Sequence, residues 1–315
     1  MNNICRSEKI RKCFDAANEL KIVNEKYRRF VLNFFDNLLS IDLENGDVSQ
    51  QPEEAYQYET DAAIIVKSLG IVAGLEETIF ILENKGLNLS SNLYSGNEIH
   101  PGDTLLSIKG KASTILTLER TILNILQRLS GIATITKKYT DLIAHTNCFV
   151  AATRKTFWGL LDKRAVQCGG GLTHRLSLYD AVMLKENHLT ILKKSIGNQA
   201  IKTAIQESIK KFPSLRFIEV EVTSNEEFWE IVNIFNSIEA KIPKVIMFDH
   251  FSPDTISLLI NELKSRNLYN QILLEASGNI SLKTIKSYAE SGVDVISVGA
   301  VTHSASSMDY SLIFD

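Results

Sequence analysis

The sequence predicts an α/β barrel preceded by a smaller unit in which an antiparallel sheet packs on helices. Three observations carry this. After residue 147, six short and nearly uninterrupted apolar runs follow one another: CFVAAT, AVMLK, RFIEVEV, KVIMFD, ILLEAS and DVISVGA. Helical stretches separate most of them, and parallel strands buried on both faces need runs of this kind. Charged or small residues recur just past run after run: Arg154 and Lys155, Lys185, Asp249, Glu275 with Ser277 and Gly278, then Gly299 and His303. Barrels of alternating strands and helices build their active sites at the C-terminal ends of the strands. A closed or nearly closed sheet lets all six ends converge.

The bulk numbers fit this reading. A chain of 315 residues accommodates two domains, or one barrel with an extension. A net charge of -3 excludes a basic nucleic-acid coat, so anion binding has to come from local clustering. The four cysteines, Cys5, Cys13, Cys148 and Cys168, form no C-x-x-C and have no His at zinc-finger spacing. They read as reduced thiols of a cytosolic protein. The start MNNICRSEKIRKCFD lacks the apolar stretch of a secretory signal, and no apolar run approaches the roughly 20 residues that span a bilayer. A cytoplasmic location with no membrane partner is the expectation.

The elements follow in order. Residues 7–40 have helical spacing, with Val31, Phe34, Phe35, Leu38 and Leu39 as the apolar face. Residues 41–60 are polar, contain Pro52 and read as loop. Between 62 and 112, AAIIVKSLGIVAGL, TIFILENKG and DTLLSIKGKAS read as β-type runs punctuated by Gly and Asn. A helix begins near Ser113 and continues to about 146. Leu118, Ile122, Ile125, Leu129 and Ile132 form its buried stripe, and Arg120 and Arg128 fall off it.

The polar residues then concentrate. Glu219 and Glu221 share one face of their strand, so at least one is expected to face the barrel interior. A buried carboxylate is costly without a lysine, a hydroxylated ligand or a metal beside it. A basic pair lies between hydroxyls in Thr153-Arg154-Lys155-Thr156, for which a surface loop is the bland account. Gly169-Gly170-Gly171 precedes Thr173-His174-Arg175, and Lys185 follows ten residues after Arg175. Arg suits bidentate contacts to carboxylate or phosphate, and Lys acts as a point charge. Ser277-Gly278-Asn279 and Ser297-Val298-Gly299-Ala300 offer small residues with free backbone N–H groups that suit phosphate. Cations and anion nests suit a substrate with carboxylates and phosphates. Carboxylates beside them suit Mg²⁺ and ribose hydroxyls.

These residues resemble the quinolinate phosphoribosyltransferase family. The matching pieces are ERTILNILQRLSGIAT, TRKT, AVQCGGGLTHRLSLYDAVMLKENH, IEVEV, LEASG and GVDVISVGAVTHSA, with LENGDVS and GIVAGLEE nearer the start. The resemblance implies an open α/β barrel over 115–302 and an N-terminal α/β sandwich over 1–114, rejoined by the tail 303–315. It implies that quinolinate and phosphoribosyl pyrophosphate react, with Mg²⁺, to nicotinate mononucleotide, pyrophosphate and CO₂. It also implies a homodimer or larger assembly with shared sites. Arg154, His174, Arg175 and Lys185 match quinolinate-binding positions, Thr153 beside them is a substrate-binding candidate, and Arg120 matches an arginine that enters the neighbouring subunit's site. Lys155 matches a lysine near the reacting centre. Glu221 and Asp249 match the carboxylates that serve ribose and metal, and Ser277, Gly278, Gly299 and His303 match the phosphate side.

Three positions and the length of one segment depart from the family pattern. Trp158 stands where proline is usual, His250 where Asn is usual, and Asn279 where a second glycine is usual. The stretch from Lys155 to His174 is about two residues short. A side chain at 279 is expected to crowd a phosphate or rotate its nest, and Trp158 either packs or stacks on an aromatic substrate. Three rival readings stay open: a related phosphoribosyltransferase of the molybdenum-operon type acting on another acid, a Schiff-base lyase using Lys155 or Lys185, and a catalytically dead scaffold that binds ligand and regulates a partner.

Overall fold

The computed structural model describes residues 5–314. Its strands, in chain order, are β1 Glu59–Val66, β2 Gly70–Ile71, β3 Asn88–Ser90, β4 Glu98–Ile99, β5 Thr104–Lys111, β6 Phe149–Ala151, β7 Val182–Leu184, β8 Ile218–Val222, β9 Lys244–Asp249, β10 Ile272–Ser277, β11 Val295–Ser297 and β12 Tyr310–Phe314. The chain forms two compact units. One comprises the segment up to Ala16, Lys138–Lys155 and Gly171–Ala300; the other comprises Ala17–Lys137, Thr156–Gly170 and the segment from Val301. By contacts, then, the chain does not divide at a single point near 114. The 31-residue helix Ala112–Leu142 begins in one unit and ends in the other.

The first unit is the barrel. Its parallel sheet has the order β6-β11-β10-β9-β8-β7, so all six apolar runs are strands and β6 and β7 are its two edges. Every residue of β8 is buried, as are the first five of β10, which is why those runs carry so few polar residues. Register places the strand ends side by side. Ser297 is opposite Ala151, Ser277 is opposite Asp249, and Val222 is opposite Phe248. A helix at the N-terminus, Arg6–Phe14, packs Ile10, Cys13 and Phe14 against Ala181, Phe217, Val245, Leu273 and Val295, each within one residue of a strand's start.

The second unit is the α/β sandwich. Its antiparallel sheet has the order β12-β1-β5-β3, and β2 pairs with β4. The C-terminal strand β12 is an edge here, with Ala62 opposite Phe314 and Val66 opposite Tyr310. Two expectations are corrected in this region. The stretch 7–40 is not one helix: a helix ends at Phe14 and a second runs Glu25–Asp42. Asn24 starts the second by accepting N–H bonds from Lys26 and Tyr27 at 3.0 and 3.2 Å, a capping role that breaks a continuous period. The run TIFILENKG is not a strand; Leu75–Asn84 is a helix. Leu75, Thr78, Ile81 and Leu82 are buried at helical spacing, so tertiary burial overrides the β-branched composition. The long helix begins at Ala112 and stops at Leu142, and Leu118, Ile122, Ile125, Leu129 and Ile132 are all buried in it.

One buried ion pair fastens this unit. Arg128 donates from Nε and Nη2 to the two carboxylate oxygens of Asp162 at 3.1 and 2.7 Å, and from Nη2 to the Thr302 carbonyl at 3.3 Å. Asp162 also accepts the N–H groups of Phe157 and Trp158. The Trp158 ring lies 5.3 Å from Phe34 and 5.0 Å from the Arg128 guanidinium, so the tryptophan serves packing.

Candidate active site

Within the barrel unit, the C-terminal strand ends bring most of the expected residues to one rim. Thr153, Arg154 and Lys155 follow β6, Lys185 follows β7, Glu221 and Asp249 close β8 and β9, Ser277 and Gly278 close β10, and Gly299 follows β11. Arg154, Lys155 and His250 are exposed, and Glu221 is buried. Arg120 and His303 belong to the sandwich unit, and both are exposed.

Arg175 is the distinctive cation. It is only 6% exposed, yet its guanidinium hydrogen bonds go to neutral acceptors, the Ala181 carbonyl and the Met183 sulfur, each at 3.4 Å. Burial, and then the charge of nearby Arg154, hold this guanidinium below its usual value. A buried guanidinium that feels the charge of a second, exposed one is a ready receptor for an anion. Lys185 has a partner already: its Nζ donates to Glu221 Oε2 at 2.5 Å.

Beneath the rim lies a group whose arrangement is not readable from spacing. His174 Nδ1 accepts the Arg175 N–H at 2.7 Å, which leaves the proton on Nε2. Nε2 donates to Glu275 Oε2 at 2.9 Å and lies 3.6 Å from Glu219. Ser297 donates to the other oxygen of Glu275. Both His174 ring nitrogens are thus committed inside the protein. His174, Glu219 and Glu275 could offer three metal ligands, but 2.9 Å is a hydrogen-bond separation, shorter than the roughly 3.3 Å between tetrahedral ligands on bonds of about 2.0 Å.

Glu219 is fully buried, and among the described residues neither of its oxygens has a partner in good hydrogen-bond geometry, although the Glu275 carboxylate lies beside it. Burial, and then the negative charge of Glu275, push its carboxyl well above the usual range, so it keeps its proton. Burial works against Glu275 too, but its electrostatic interaction with the His174 ring and the hydrogen bonds from His174 Nε2 and the Ser297 hydroxyl outweigh it and hold that carboxyl below the usual range. The sequence signal for Glu219 was its period-2 partnership with Glu221. Glu275 and Ser297 had only their places at strand ends.

A prediction about stability follows from Glu219. Above the ordinary carboxyl value of 4.5 an unfolded chain releases this proton, whereas the folded chain keeps it. Stability contributed by the site therefore falls as pH rises from that value. Glu219→Gln mimics the protonated acid and removes that slope. Thermal melts between about pH 5.5 and 8.5 should show the variant gaining on the wild type toward the alkaline end. Parallel curves would contradict the assignment.

The two unusual turns also resolve. His250 and Asn279 both adopt left-handed backbone, with φ of 60° and 51°, beside Gly278 at 99°. Asn is the non-glycine residue that tolerates this region best, so Asn279 keeps the turn a glycine would make. Any β-carbon at Gly278 would lie 2.8 Å from the His250 nitrogen.

Comparison with known proteins fits this geometry. Residues 132–313 match the model of the quinolinate phosphoribosyl transferase C-terminal domain, and residues 51–130 match that of its N-terminal domain. The chain belongs to the quinolinate phosphoribosyltransferase family. Among this family's curated members, a probable nicotinate-nucleotide pyrophosphorylase [carboxylating] of Archaeoglobus fulgidus is 34% identical over 274 residues, covering 85% of this chain and 97% of that one. Its counterpart in Bacillus subtilis is 35% identical over 278 residues, covering 86% and 89%. Among solved quinolinate phosphoribosyltransferase relatives, the nicotinate-nucleotide pyrophosphorylase from Francisella tularensis superposes with a TM-score of 0.79 at 31% identity, covering 91% of this chain and 96% of that one.

Proposed function

We propose that the protein transfers the phosphoribosyl group of phosphoribosyl pyrophosphate to the ring nitrogen of quinolinate. The products are nicotinate mononucleotide, pyrophosphate and CO₂. The observation that carries this reading is Arg175, a desolvated guanidinium with no carboxylate among its hydrogen-bond partners in the described residues, close enough to Arg154 to feel its charge, within a barrel of this family. Two adjacent carboxylates on a flat ring match two adjacent cations. With Arg154 and Arg175 on those carboxylates, and Thr153 at the same strand end, the ring nitrogen is presented to the anomeric carbon.

A nitrogen–carbon bond then forms as the carbon–oxygen bond to pyrophosphate breaks. The ring becomes cationic at nitrogen. The neighbouring carboxylate leaves as CO₂, its bonding pair returns to the ring, and the ring carbon takes a proton. Lys155 and Lys185 offset charge on the departing pyrophosphate, and Ser277, Gly278, Gly299 and His303 serve the phosphate side. Glu221 and Asp249 stabilise positive character at the sugar carbon. They are also hard oxygen donors on neighbouring strands, the set that Mg²⁺ uses together with substrate phosphates and water. When bound, Mg²⁺ neutralises charge on the pyrophosphate.

The Schiff-base alternative on Lys185 needs an amine free to attack a carbonyl, whereas Nζ is already engaged with Glu221 Oε2 at 2.5 Å. The enzyme is read as cytoplasmic, in keeping with its free cysteines. Burial pushes the Cys13 thiol up to about 11 and the Cys168 thiol up to about 12, so both stay protonated and unreactive.

The direct test supplies protein, Mg²⁺, phosphoribosyl pyrophosphate and quinolinate. Nicotinate mononucleotide and CO₂ are the expected products, and nicotinate in place of quinolinate is the control. No product, or equal turnover of nicotinate, would sink the reading. A homodimer or larger assembly with Arg120 reaching the neighbouring site makes a second expectation. Arg120→Ala and Lys155→Ala proteins are each inactive, and mixing them with subunit exchange restores part of the activity. Exchange without recovery would reject shared sites.

A further inference from the structure

The helix Arg6–Phe14 lies outside both stretches that match the family, and the mechanism above does not use it. Its contacts nonetheless lead to the substrate site. The Phe14 carbonyl accepts the His174 N–H at 2.7 Å. The Ala16 N–H donates to Thr173 Oγ1 at 2.8 Å. The Phe14 ring meets the His174 ring edge-on, with centroids 5.1 Å apart, and Phe217 meets it from another side at 5.3 Å.

His174 gains from such support. Its φ of 54° is left-handed, a region that few non-glycine residues enter and that costs free energy to hold without fixed surroundings. Its hydrogen bonds fix it: one from its own N–H to the Phe14 carbonyl, one into its carbonyl from Thr173 Oγ1, one into Nδ1 from the Arg175 N–H, and one from Nε2 to Glu275. The residue locked to its ring is the anion receptor Arg175.

The helix is itself clamped. Arg6 donates to both oxygens of Asp294 at 2.5 and 2.6 Å, to the Tyr269 carbonyl at 2.8 Å and to the Ile272 carbonyl at 2.9 Å. Its guanidinium also lies 3.7 Å from the centre of the Tyr269 ring. Asp294 is 4% exposed and accepts the Leu274 N–H at 2.7 Å. Arg216 donates to the Cys13 carbonyl at 3.2 Å. All these acceptors sit where strands begin, or on the helix itself.

We propose that the Arg6–Phe14 helix plugs the N-terminal end of the barrel and, through the Phe14 carbonyl and His174, sets the position of the adjoining Arg175, whose guanidinium reaches the Ala181 carbonyl and the Met183 sulfur of β7. Phe14 and Arg6 are positioning residues of the quinolinate subsite; they touch no substrate. The inference rests on the proposed reaction only for the identity of the ligand. A placement error of about 1 Å costs on the order of a hundredfold in rate, and a loosened support costs a part of that.

The test uses the full chain with Arg6→Ala, Arg6→Lys and Phe14→Leu. Arg6→Ala should raise KM for quinolinate about tenfold while KM for phosphoribosyl pyrophosphate stays within about twofold. Arg6→Lys keeps the charge without the fork and should fall between Arg6→Ala and the wild type. Phe14→Leu keeps the burial but loses the ring edge, and it should show the same split with less loss of thermal stability. A second readout needs no turnover: ¹⁵N spectra of the histidines should show the His174 ring signals shifted or broadened in each variant. Variants that merely lower the active fraction, with both KM values and the His174 signals unchanged, would overturn the proposal. If the wild type does not turn over quinolinate at all, the reaction assignment fails while the His174 signals still decide the positioning role.

Discussion

Arg175→Ala is expected to lower kcat/KM for quinolinate by about two to three orders of magnitude, which is on the order of 3–4 kcal/mol. The protein should lose no thermal stability and should gain some. The two effects have one cause. In the free protein the guanidinium is desolvated, has neutral partners at 3.4 Å and sits beside the charge of Arg154. Its charged form is therefore disfavoured on folding, at every pH where arginine is protonated. Deleting it removes that penalty, whereas the bound dianion loses its best partner. Paired measurements of kcat/KM and melting temperature check both signs. A variant that melts well below the wild type would show that Arg175 is structural. Arg175→Lys should recover little, because an ammonium cannot present a planar fork.

The largest loss of stability is expected at Asp162→Ala. The change leaves Arg128 with a buried positive charge and strips acceptors from the Phe157 and Trp158 N–H groups. Breaking one side of a buried, bidentate pair costs about 3–5 kcal/mol. The melting transition of the sandwich unit should fall by on the order of 10 °C. Calorimetry separates this from an effect on the barrel. A fall of one or two degrees would mean that water reaches Arg128 and replaces the carboxylate. Asp162→Asn keeps acceptors for the two N–H groups and should recover part of the loss.

The barrel was legible because parallel strands buried on both faces leave an unmistakable trace, six apolar runs each ending in a polar or small residue. The rim residues Arg154, Lys185, Glu221 and Asp249 were readable for the same reason. What escaped was set by partners distant in sequence. Leu75–Asn84 looked like a strand, because Thr78, Ile79 and Ile81 are β-branched and nothing local reveals the face they bury. The break between the first two helices depended on one cap at Asn24. His174 was readable as a site residue, but its tie to Glu275 spans 101 positions, and no spacing rule connects them. The helix Arg6–Phe14 lay within a stretch, 7–40, that read only as helical. Its true neighbours, Asp294 and His174, are supplied by the fold.

The left-handed turns at His250, Gly278 and Asn279 carry a consequence for anyone who diversifies this rim to change substrate choice. They close neighbouring strands and meet backbone to backbone, since the His250 N–H donates to the Ser277 carbonyl at 3.2 Å. The usable alphabet there is small: glycine at 278, and glycine, asparagine, aspartate or histidine at 250 and 279. A randomised library that spends codons freely at these three positions will mostly sample broken rims. One that holds them within this alphabet and varies the side chains around Arg154 and Arg175 will sample recognition.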